Sequence, residues 1–519
     1  MARTWGEVPV VLESATTVVL ARGAVRRPGG IEWSHGPVLS GQAAGRAGRD
    51  AITIEEGEEA SELRAGASGA IPLYVEDDGE SIVFSSHLDA LIRTRPTAAS
   101  PDWDAVAQML AASGPIGGRT MVREVRRLQP GERVRRSAAG EVVSSRHWSW
   151  PALEMSGATV DDLLAVFRST VADLARSGPL VSMLSGGWDS RLLLAAAVHA
   201  GVRHGVHAYT TSSDTGTVME ELVAARVAEH LGVPHEIVMP RRDAFAADLA
   251  HFGSAVDYQT AFHVWLVPLV RRLAAARTGA PDAVAPTVLD GLGGGLFVGG
   301  AFADPAPGEP VAAQRIAGGT RYLAAASHVL APGVVERLRD RIQADTEPIV
   351  RRYLDHPFGH TFTAYLTRTL PGISLAPHGL VAAAGPVATP FLTDDLVSTA
   401  LAMSPDEHRD GRLYPLLTST FDQELGAMST AQDLVPWPRP HPRRATSREA
   451  ITHLRDLLRA EPVRPLVSRR LAEGTPSDWQ AVLSTTGGQH LVRGLAMLSL
   501  WTRRYEGTLT NIDPTELMR

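Results

Sequence analysis

Six consecutive residues, between a short apolar run and a helical segment, combine glycine, serine and aspartate. They are Ser185, Gly186, Gly187, Trp188, Asp189 and Ser190. Two glycines let the backbone approach an anion closely, and a helix N-terminus directs free N–H groups toward it. The pattern predicts a pyrophosphate cradle, in which Asp189 fits beside phosphate if Mg²⁺ lies between them. In the alternative interpretation, Ser185 and Asp189 are turn and N-cap residues.

A second glycine-rich loop follows a later apolar run, Ala285 to Leu289. The loop consists of Asp290, Gly291, Leu292, Gly293, Gly294 and Gly295. It has the composition of the first loop, with an acid and several glycines, so it is a second candidate for close approach to an anion. The alternative is a flexible turn that holds no ligand.

The residues between these loops indicate the scaffold that would bring them together. Short apolar runs at 180–184, 206–210 and 235–239 alternate with helical segments, one of which ends at Gly232. Such alternation predicts a parallel sheet with right-handed crossovers and helices on its faces. Ligands bind beyond the carboxyl ends of strands in such sheets, so we expect the loops after the first two strands and after 285–289 to converge.

The rest of the chain divides into a β-rich front and a helical end. Residues 1–150 show short alternating runs, including two strand-like pieces around the turn Asp77-Asp78-Gly79. Turn residues at 150–158 indicate a linker, and helical periodicity begins at 159. Beyond about 310 the chain is mainly helical, interrupted by the proline-rich residues 435–444. The predicted class is α/β: a β-rich domain over 1–150, then a parallel-sheet domain over 159–519 with a long helical C-terminal part.

Composition excludes several function classes. The 519 residues carry a net charge of -7, which disfavours nucleic acid as a partner. The sequence has no cysteine, which removes disulfides, thiolate metal sites and cysteine nucleophiles. All 50 basic residues are arginine, so neither a Walker A lysine nor a Schiff-base lysine is available. Any nucleotide chemistry must therefore use another phosphate cradle.

The hydrophobic runs give no sign of a membrane or export signal. Glu7 and Glu13 break the apolar character of the first residues, and no run of about 18 residues is continuously apolar. We therefore expect no membrane partner and a cytoplasmic location.

Several longer segments carry a family resemblance. SGGWDS at 185–190 is similar to the PP-loop of ATP pyrophosphatases, and LDGLGGGLFVGG, LPGISLAPHGLVAAAG and ATPFLTDDLVSTALAMSP resemble the synthetase domain of asparagine synthetase. GAIPLYVEDDGESIVFSSHLDALI, VREVRRLQPGERV and RHWSW resemble the glutaminase-like domain that precedes it. The resemblance implies ATP and Mg²⁺ as cofactors. It implies that the nucleotide is held by Ser185, Gly186, Gly187, Asp189, Ser190, Gly291, Gly293 and Gly294.

One departure indicates a subfamily. A working glutaminase domain of this class needs cysteine directly after the initiator methionine, and this chain has Ala2. The resemblance therefore implies an inactive front domain that takes no ammonia from glutamine. Relatives of that kind are β-lactam synthetases and lasso-peptide macrolactam cyclases, in which an amine of the substrate attacks. The length, the arginine- and alanine-rich composition and the tail ending in LAMLSLWTRRY are most similar to the lasso cyclases.

Other departures concern the reacting centre. Gly295 stands where the family usually has a magnesium-binding aspartate, so the resemblance leaves Asp189 and Asp290 as the metal ligands. The family's usual lysine is also missing, and the matching segment offers Arg412 or Tyr414. Arg412 would supply fixed positive charge but no proton at neutral pH; the alternative is an ordinary surface arginine.

Three more residues are candidates with ordinary structural alternatives. His378 replaces a common arginine and is a candidate base for an amine, or else a buried structural histidine. Glu220 and Glu221 match an acidic pair of the family, or else serve as favourable charges at a helix N-terminus.

The implied reaction is ATP-dependent amide formation. An Asp or Glu side chain of a precursor core peptide would be adenylated, and the peptide's α-amine would then close a macrolactam. The resemblance also implies a leader peptidase and a leader-recognition protein as partners. Alternatives are a β-lactam synthetase-like or other glutamine-independent amide ligase, and a degenerate nucleotide-binding scaffold. Thiolation of tRNA by a PP-loop enzyme usually needs cysteines and RNA-binding charge, which this chain lacks.

Overall fold

The structure is a computed structural model, and it describes twelve stretches of the chain. These are residues 10–13, 18–20, 24–27, 30–33, 51–57, 59–77, 79, 81–202, 205–278, 284–300, 311–434 and 441–519. Ala2, Asp78 and the proline-rich residues 435–440, which entered the sequence predictions, lie outside them.

The front of the chain is built from antiparallel sheets. The strands are β1 Val10–Glu13, β2 Val18–Leu20, β3 Ala24–Arg27, β4 Gly30–Trp33, β5 Ile52–Glu56, β6 Ala60–Arg64, β7 Tyr74–Asp77, β8 Ile82–Ser85, β9 Arg126–Arg127, β10 Glu132–Ser137 and β11 Val142–Arg146. Six of them form one sheet in the order β11-β10-β6-β5-β4-β3, and β8-β7-β9 form a smaller one. β7 and β8 pair antiparallel around Gly79, which confirms the two predicted strand pieces. The β-rich front domain is thus confirmed, with two helices in addition.

The second sheet is parallel throughout, as the alternating pattern predicts. Its strands are β12 Leu180–Met183, β13 Val206–Thr211, β14 His235–Val238, β15 Thr287–Leu289 and β16 Val387–Ala388. Their order is β14-β13-β12-β15-β16, and every neighbouring pair is parallel. β12 is central, with β13 on one side and β15 on the other, so the loops after these three strands emerge side by side at one edge.

Helices cover this sheet and make up most of the chain beyond residue 310. The α-helices are α1 Leu88–Thr94, α2 Trp103–Ala111, α3 Val160–Ser177, α4 Trp188–Ala197, α5 Met219–Leu231, α6 Phe245–Ala255, α7 Val267–Thr278, α8 Gly294–Phe297, α9 Val311–Gly319, α10 Ala326–Val329, α11 Val334–Arg352, α12 Gly359–Ala364, α13 Asp394–Ala402, α14 Leu413–Ser419, α15 Gln423–Ala427, α16 Arg448–Arg459, α17 Arg469–Ala472, α18 Pro476–Leu483 and α19 Thr486–Arg504. A π-helical segment spans Tyr365–Ile373. None of these described helices is long and apolar enough to cross a membrane.

Local sequence signals account for the ends of the helices around the sheet. Thr159 caps α3 in a capping box with Asp162, each side chain accepting from the other residue's backbone N–H. α5 ends at Gly232, which has φ 62° and takes the left-handed conformation that a residue with a side chain would resist. Both ends agree with the boundaries that the sequence predicts.

A buried arginine of the front domain fixes the π-helical segment. The guanidinium of Arg127 donates to the carbonyl oxygens of Gly69, Ala70 and Leu370 and to Ser374 Oγ, at 2.9–3.1 Å. Charged donors that satisfy several buried carbonyl groups hold backbone segments in a defined register. The front domain therefore positions the segment 365–373 against the parallel sheet.

Candidate active site

A cavity of about 380 Å³ lies at the carboxyl ends of β12, β13 and β15. Its walls include Ser185, Asp189 and Ser190 of the first glycine-rich loop and Asp290, Gly291, Gly293 and Gly295 of the second. The sequence predicts that these loops converge, and the structure confirms it. The cavity is also lined by residues of β13, of the segment after α6 and of the π-helical region: Tyr209, Thr210, Thr211, His263, Trp265, Leu266, Leu269, Arg368, Thr369, Ile373, Ala376 and Pro377.

The first loop is held in a tight bend with an open helix N-terminus. Ser190 Oγ accepts from the backbone N–H of Ser185 at 2.9 Å and lies 3.0 Å from Ser185 Oγ. Gly187 is the N-cap of α4 and makes no side-chain capping bond to the first turn of the helix, while its own N–H donates to Ser185 Oγ at 3.2 Å. No N-cap side chain therefore competes with an anion for the N–H groups of that first turn, as the cradle prediction requires.

Close packing explains why the first loop needs glycine. A Cβ on Gly186 would lie 2.6 Å from Ala431 Cβ and 3.0 Å from a carboxylate oxygen of Glu220. Contacts this short do not occur between real side chains. The same loop residue donates its N–H to Glu220 Oε2 at 2.7 Å, which fixes the backbone from the neighbouring helix α5. Glu220 is therefore a positioning residue for the loop.

The second loop approaches Asp189 as closely as its glycines allow. A Cβ on Gly291 would lie 2.7 Å from Asp189 Cβ, and a Cβ on Gly294 would lie 2.3 Å from Asp189 Oδ1. Gly293 has φ 90° at the N-cap of α8, a conformation typical of glycine. The glycines thus allow the backbone of the second loop to lie against the first loop. This close packing disfavours the interpretation of the second loop as a flexible turn.

Two carboxylates, Asp189 and Asp290, share the cavity. Burial, together with the charge of Asp290, raises the pKa of Asp189 to about 7, and burial raises the pKa of Asp290 to about 6. A cation between two such groups would favour their charged forms. The donor set suits Mg²⁺, which typically binds through one or two carboxylates and completes its shell with phosphate and water oxygens. The described residues contain no group of three or more His, Cys, Asp or Glu side chains placed to hold a metal.

Tyr414 is the sequence candidate that contacts the carboxylates directly. Its hydroxyl donates to Asp189 Oδ1, and its ring stacks on Trp188 at 6.2 Å between centroids. Arg191 lies on the same tryptophan, with its guanidinium 4.4 Å from the ring centroid. The side chains of α4 and α14 thus orient Asp189 in the way that an outer layer of hydrogen bonds orients metal ligands.

Removing the Tyr414 hydroxyl should weaken magnesium-dependent nucleotide binding. Tyr414→Phe keeps the ring on Trp188 but deletes the donor to Asp189, and loss of such an orienting contact costs about tenfold in affinity. Titration calorimetry with Mg·ATP measures the change. An unchanged affinity would show that Tyr414 plays no part in orienting the carboxylate.

Arg412, the other candidate for the missing lysine, and His378, the candidate base, lie outside the cavity wall. Arg412 is exposed and precedes α14. His378 is 3% exposed, and its neighbours Ala376 and Pro377 line the cavity whereas His378 does not. The structure does not bring either residue to the two carboxylates.

Sequence reasoning missed Arg368. This residue belongs to the π-helical segment 365–373 and is the one arginine on the cavity wall among the described residues. Burial lowers the pKa of Arg368, and Tyr322 is its hydrogen-bond partner. The charge of Arg368 also acts on His263 across the cavity wall, and burial lowers the pKa of that histidine to about 3, so His263 is neutral at pH 7. The family-like segment LPGISLAPHGLVAAAG begins at Leu370, two residues after this arginine, and no local signal distinguished Arg368 from the other 49 arginines.

The second acid of α5 differs from Glu220. Glu221 is 3% exposed, and both of its carboxylate oxygens are buried without a hydrogen-bond partner among the described residues. It lies outside the cavity wall, so the structure assigns the loop contact to Glu220 alone.

The elevated pKa values predict a stability difference between the wild type and Asp189→Asn. The Asp189 carboxyl has a pKa of about 7 in the folded chain and an ordinary pKa of about 3.9 in the unfolded chain. Between these two pH values the folded state therefore binds more protons than the unfolded state. The contribution of this carboxyl group to the free energy of unfolding therefore falls as pH rises from 4 to 7. In metal-free protein, the free energy of unfolding of Asp189→Asn, relative to that of the wild type at the same pH, should therefore be higher at pH 8 than at pH 5. Urea titrations at both pH values, in chelator, measure this difference, and a variant effect equal at the two pH values would contradict it.

Comparison with known families agrees with the geometry. The family model for asparagine synthase matches residues 162–503, and the model for the glutamine amidotransferase domain matches residues 52–148. The first match contains both glycine-rich loops and the whole parallel sheet, and the second contains most of the antiparallel front. No curated protein matches the chain. Because the asparagine synthase match covers more than half of the 519 residues, the chain belongs to the asparagine synthase family, a family of ATP-dependent, AMP-forming ligases.

Proposed function

We propose that this protein is an ATP-dependent cyclase that joins a side-chain carboxylate of a precursor peptide to the peptide's own N-terminal amine, as lasso-peptide macrolactam cyclases do. The observation that supports this proposal most directly is the cavity, in which both glycine-rich loops, two carboxylates and one arginine meet. Such a cavity supports activation of a carboxylate by a nucleotide, and the resemblance to lasso cyclases supports the choice of substrate.

The first step would be adenylation. A carboxylate oxygen of an Asp or Glu in the peptide attacks the α-phosphorus of ATP, and pyrophosphate leaves. The free N–H groups of α4 bind the phosphates, and Arg368 offsets negative charge that accumulates on them. Asp189 and Asp290 would hold a magnesium ion, which supplies charge neutralisation to the leaving pyrophosphate. Glu220 and Tyr414 keep the loop and Asp189 in place for this step.

The second step would be ring closure. The N-terminal amine of the peptide attacks the acyl carbon, loses a proton and displaces AMP. Holding both reacting groups on one bound peptide replaces a soluble amine, because proximity turns a bimolecular reaction into a unimolecular one. The absence of cysteine from the chain supports this source of nitrogen, since glutamine hydrolysis of this class uses a cysteine thiol. A leader peptidase and a leader-recognition protein would prepare the peptide.

Incubation of the protein with Mg·ATP and a candidate linear core peptide tests the proposal. We expect AMP, pyrophosphate and a peptide lighter by one water, with an isopeptide bond located by tandem mass spectrometry. A peptide variant with Asn or Gln at the acceptor position should give no product. AMP formation with a small β-amino acid or another acid in place of the peptide would instead support a β-lactam synthetase-like or other amide ligase. ATP binding without turnover would support the alternative of a degenerate nucleotide-binding scaffold, with which Gly295 and the missing lysine are compatible.

A further inference from the structure

A second cavity, of about 510 Å³, lies where the front domain meets the helical region, apart from the glycine-rich loops. Arg146, at the end of β11, and Trp148, just beyond it, form one side. Arg352, at the end of α11, and Tyr353 form the other, with His356 nearby. No residue of this wall is acidic among those that the structure describes. The two reaction steps proposed above use none of these residues.

Three hydrogen-bond donors in this wall are buried without a partner. They are Arg146 Nη2, Trp148 Nε1 and Tyr353 Oη, and none has a hydrogen-bond partner among the described residues. Tyr353 is only 4% exposed. Arginine and tryptophan side chains donate and do not accept, and buried donors of this kind are nearly always paired in folded proteins. The wall therefore holds more hydrogen-bond donors than its own acceptors satisfy, which favours a ligand that brings acceptors.

The charge of the wall is positive. The guanidinium of Arg146 lies 5.1 Å from the centroid of Trp148, and that of Arg352 lies 5.5 Å from the centroid of Tyr353. Arg146 uses its Nε to donate to the carbonyl oxygen of Pro130 at 3.0 Å, whereas its buried Nη2 has no hydrogen-bond partner among the described residues. Two cations that lie over aromatic rings form a surface that attracts an anion and also packs against apolar atoms.

The remaining titratable groups do not cancel this charge. His356 already uses both ring nitrogens: Nε2 lies 3.1 Å from the carbonyl oxygen of Pro151, and Nδ1 accepts from the N–H of Phe358 at 2.9 Å. The nearest acid that acts on Arg146 is Glu132, which forms an ion pair with Arg126 outside the wall. Neither group supplies an acceptor to the three buried donors.

We propose that this cavity binds an acidic side chain of a peptide, with the carboxylate against Arg146 and Arg352 and the peptide stem against the half-buried Trp148. A carboxylate offers two acceptor oxygens and a negative charge, which match the two guanidiniums. The half-buried indole favours a peptide over a bare inorganic anion, because a peptide stem supplies apolar area that packs against it. This site is independent of the nucleotide cavity and does not rest on the proposed cyclase activity.

Binding of a short acidic peptide to the full-length protein tests this site. The probe is acetyl-Asp-Glu-amide, its matched control acetyl-Asn-Gln-amide, and inorganic phosphate a third ligand. We expect the acidic dipeptide to change tryptophan fluorescence and to bind at least about tenfold more tightly than the amide control, as charge-assisted hydrogen bonds require. Arg146→Gln and Arg352→Gln should each weaken it by about tenfold or more. Trp148→Phe should remove the fluorescence change, while calorimetry still detects binding.

The controls separate this cavity from general charge and from the nucleotide site. Arg351→Gln is matched, because Arg351 adjoins Arg352 but is 76% exposed and paired with Glu347, and it should leave binding unchanged. Saturating Mg·ATP should not displace the peptide. Unfolding midpoints of all variants check that they fold, and Arg352→Gln changes a wall residue whose side chain is exposed, so it should not affect folding. Equal binding of the amide control, phosphate binding as tight as the acidic peptide, displacement by ATP, or no saturable binding would each overturn the proposal.

Discussion

Replacing Asp189 by asparagine should lower the rate of peptide-dependent AMP formation by about a thousandfold, the upper end of the range for removal of one preorganised charge-stabilising group. Asparagine keeps the size of the side chain and an acceptor for the Tyr414 hydroxyl, so the change removes little besides the negative charge. Without that charge, a magnesium ion held by Asp189 and Asp290 would lose one of its two protein ligands, and with it part of the charge neutralisation that it would supply. Release of pyrophosphate in a coupled assay measures the effect.

Two comparisons make the Asp189 experiment specific. Asp243→Asn removes an exposed aspartate that pairs with Arg241, and it should leave the rate unchanged. Asp290→Asn should resemble Asp189→Asn, because both carboxylates face the same cavity. Full activity of Asp189→Asn would refute the magnesium site and, with it, the assignment of the two loops as a nucleotide cradle.

Replacing Arg368 by glutamine should lower the turnover rate by about a hundredfold. Arg368 is the only arginine of the described cavity wall, and the chain has no lysine, so no second fixed cation of the wall offsets charge on the phosphates. Arg368→Lys restores the charge without the forked guanidinium, so we expect it to recover part of the lost activity. Steady-state kinetics of both variants should show the loss mainly in kcat, because charge accumulates in the transition state.

A neighbouring arginine provides the matched control for Arg368. Arg321 is exposed and lines only a smaller cavity behind Arg368, so Arg321→Gln changes the net charge equally without reaching the nucleotide cavity. We expect it to keep nearly full activity. Unfolding midpoints show whether Arg368→Gln is folded. We expect that it is, because the substitution changes only the side chain and leaves the backbone carbonyl that accepts from Ser113 Oγ. A kcat of Arg368→Gln equal to that of Arg321→Gln would remove Arg368 from the mechanism.

The parallel sheet and its two loops illustrate what local patterns determine. Apolar runs near β12, β13 and β14 alternate with amphipathic helices, and that alternation allows few topologies. Once the strands are parallel, their carboxyl ends share one edge, so the convergence of residues 185–190 and 290–295 follows from the sequence. The ends of α3 and α5 were equally predictable, because Thr159 and Gly232 act on their own helix termini.

The residues that complete the site depended instead on contacts between distant parts of the chain. Arg368 reaches the cavity because Arg127 and Ser113, about 250 positions earlier, hold its segment. Tyr414 meets Asp189 across 225 positions, whereas Arg412, two residues away, faces solvent. Sequence motifs singled out Arg412 and Tyr414 and began two residues after Arg368, but packing decides the side-chain direction of all three.

The sequence by itself determined the chemistry that this protein excludes and the two loops that line its cavity, because residue types and short periodicities need no tertiary information. A chain without cysteine or lysine must use arginine, carboxylates and backbone N–H groups for any phosphate chemistry. Only the tertiary structure decided which arginine lies on the cavity wall and that Glu220 fixes Gly186. The physical reason is that a side chain's environment is set by elements packed against it from far along the chain, and no local pattern encodes that packing.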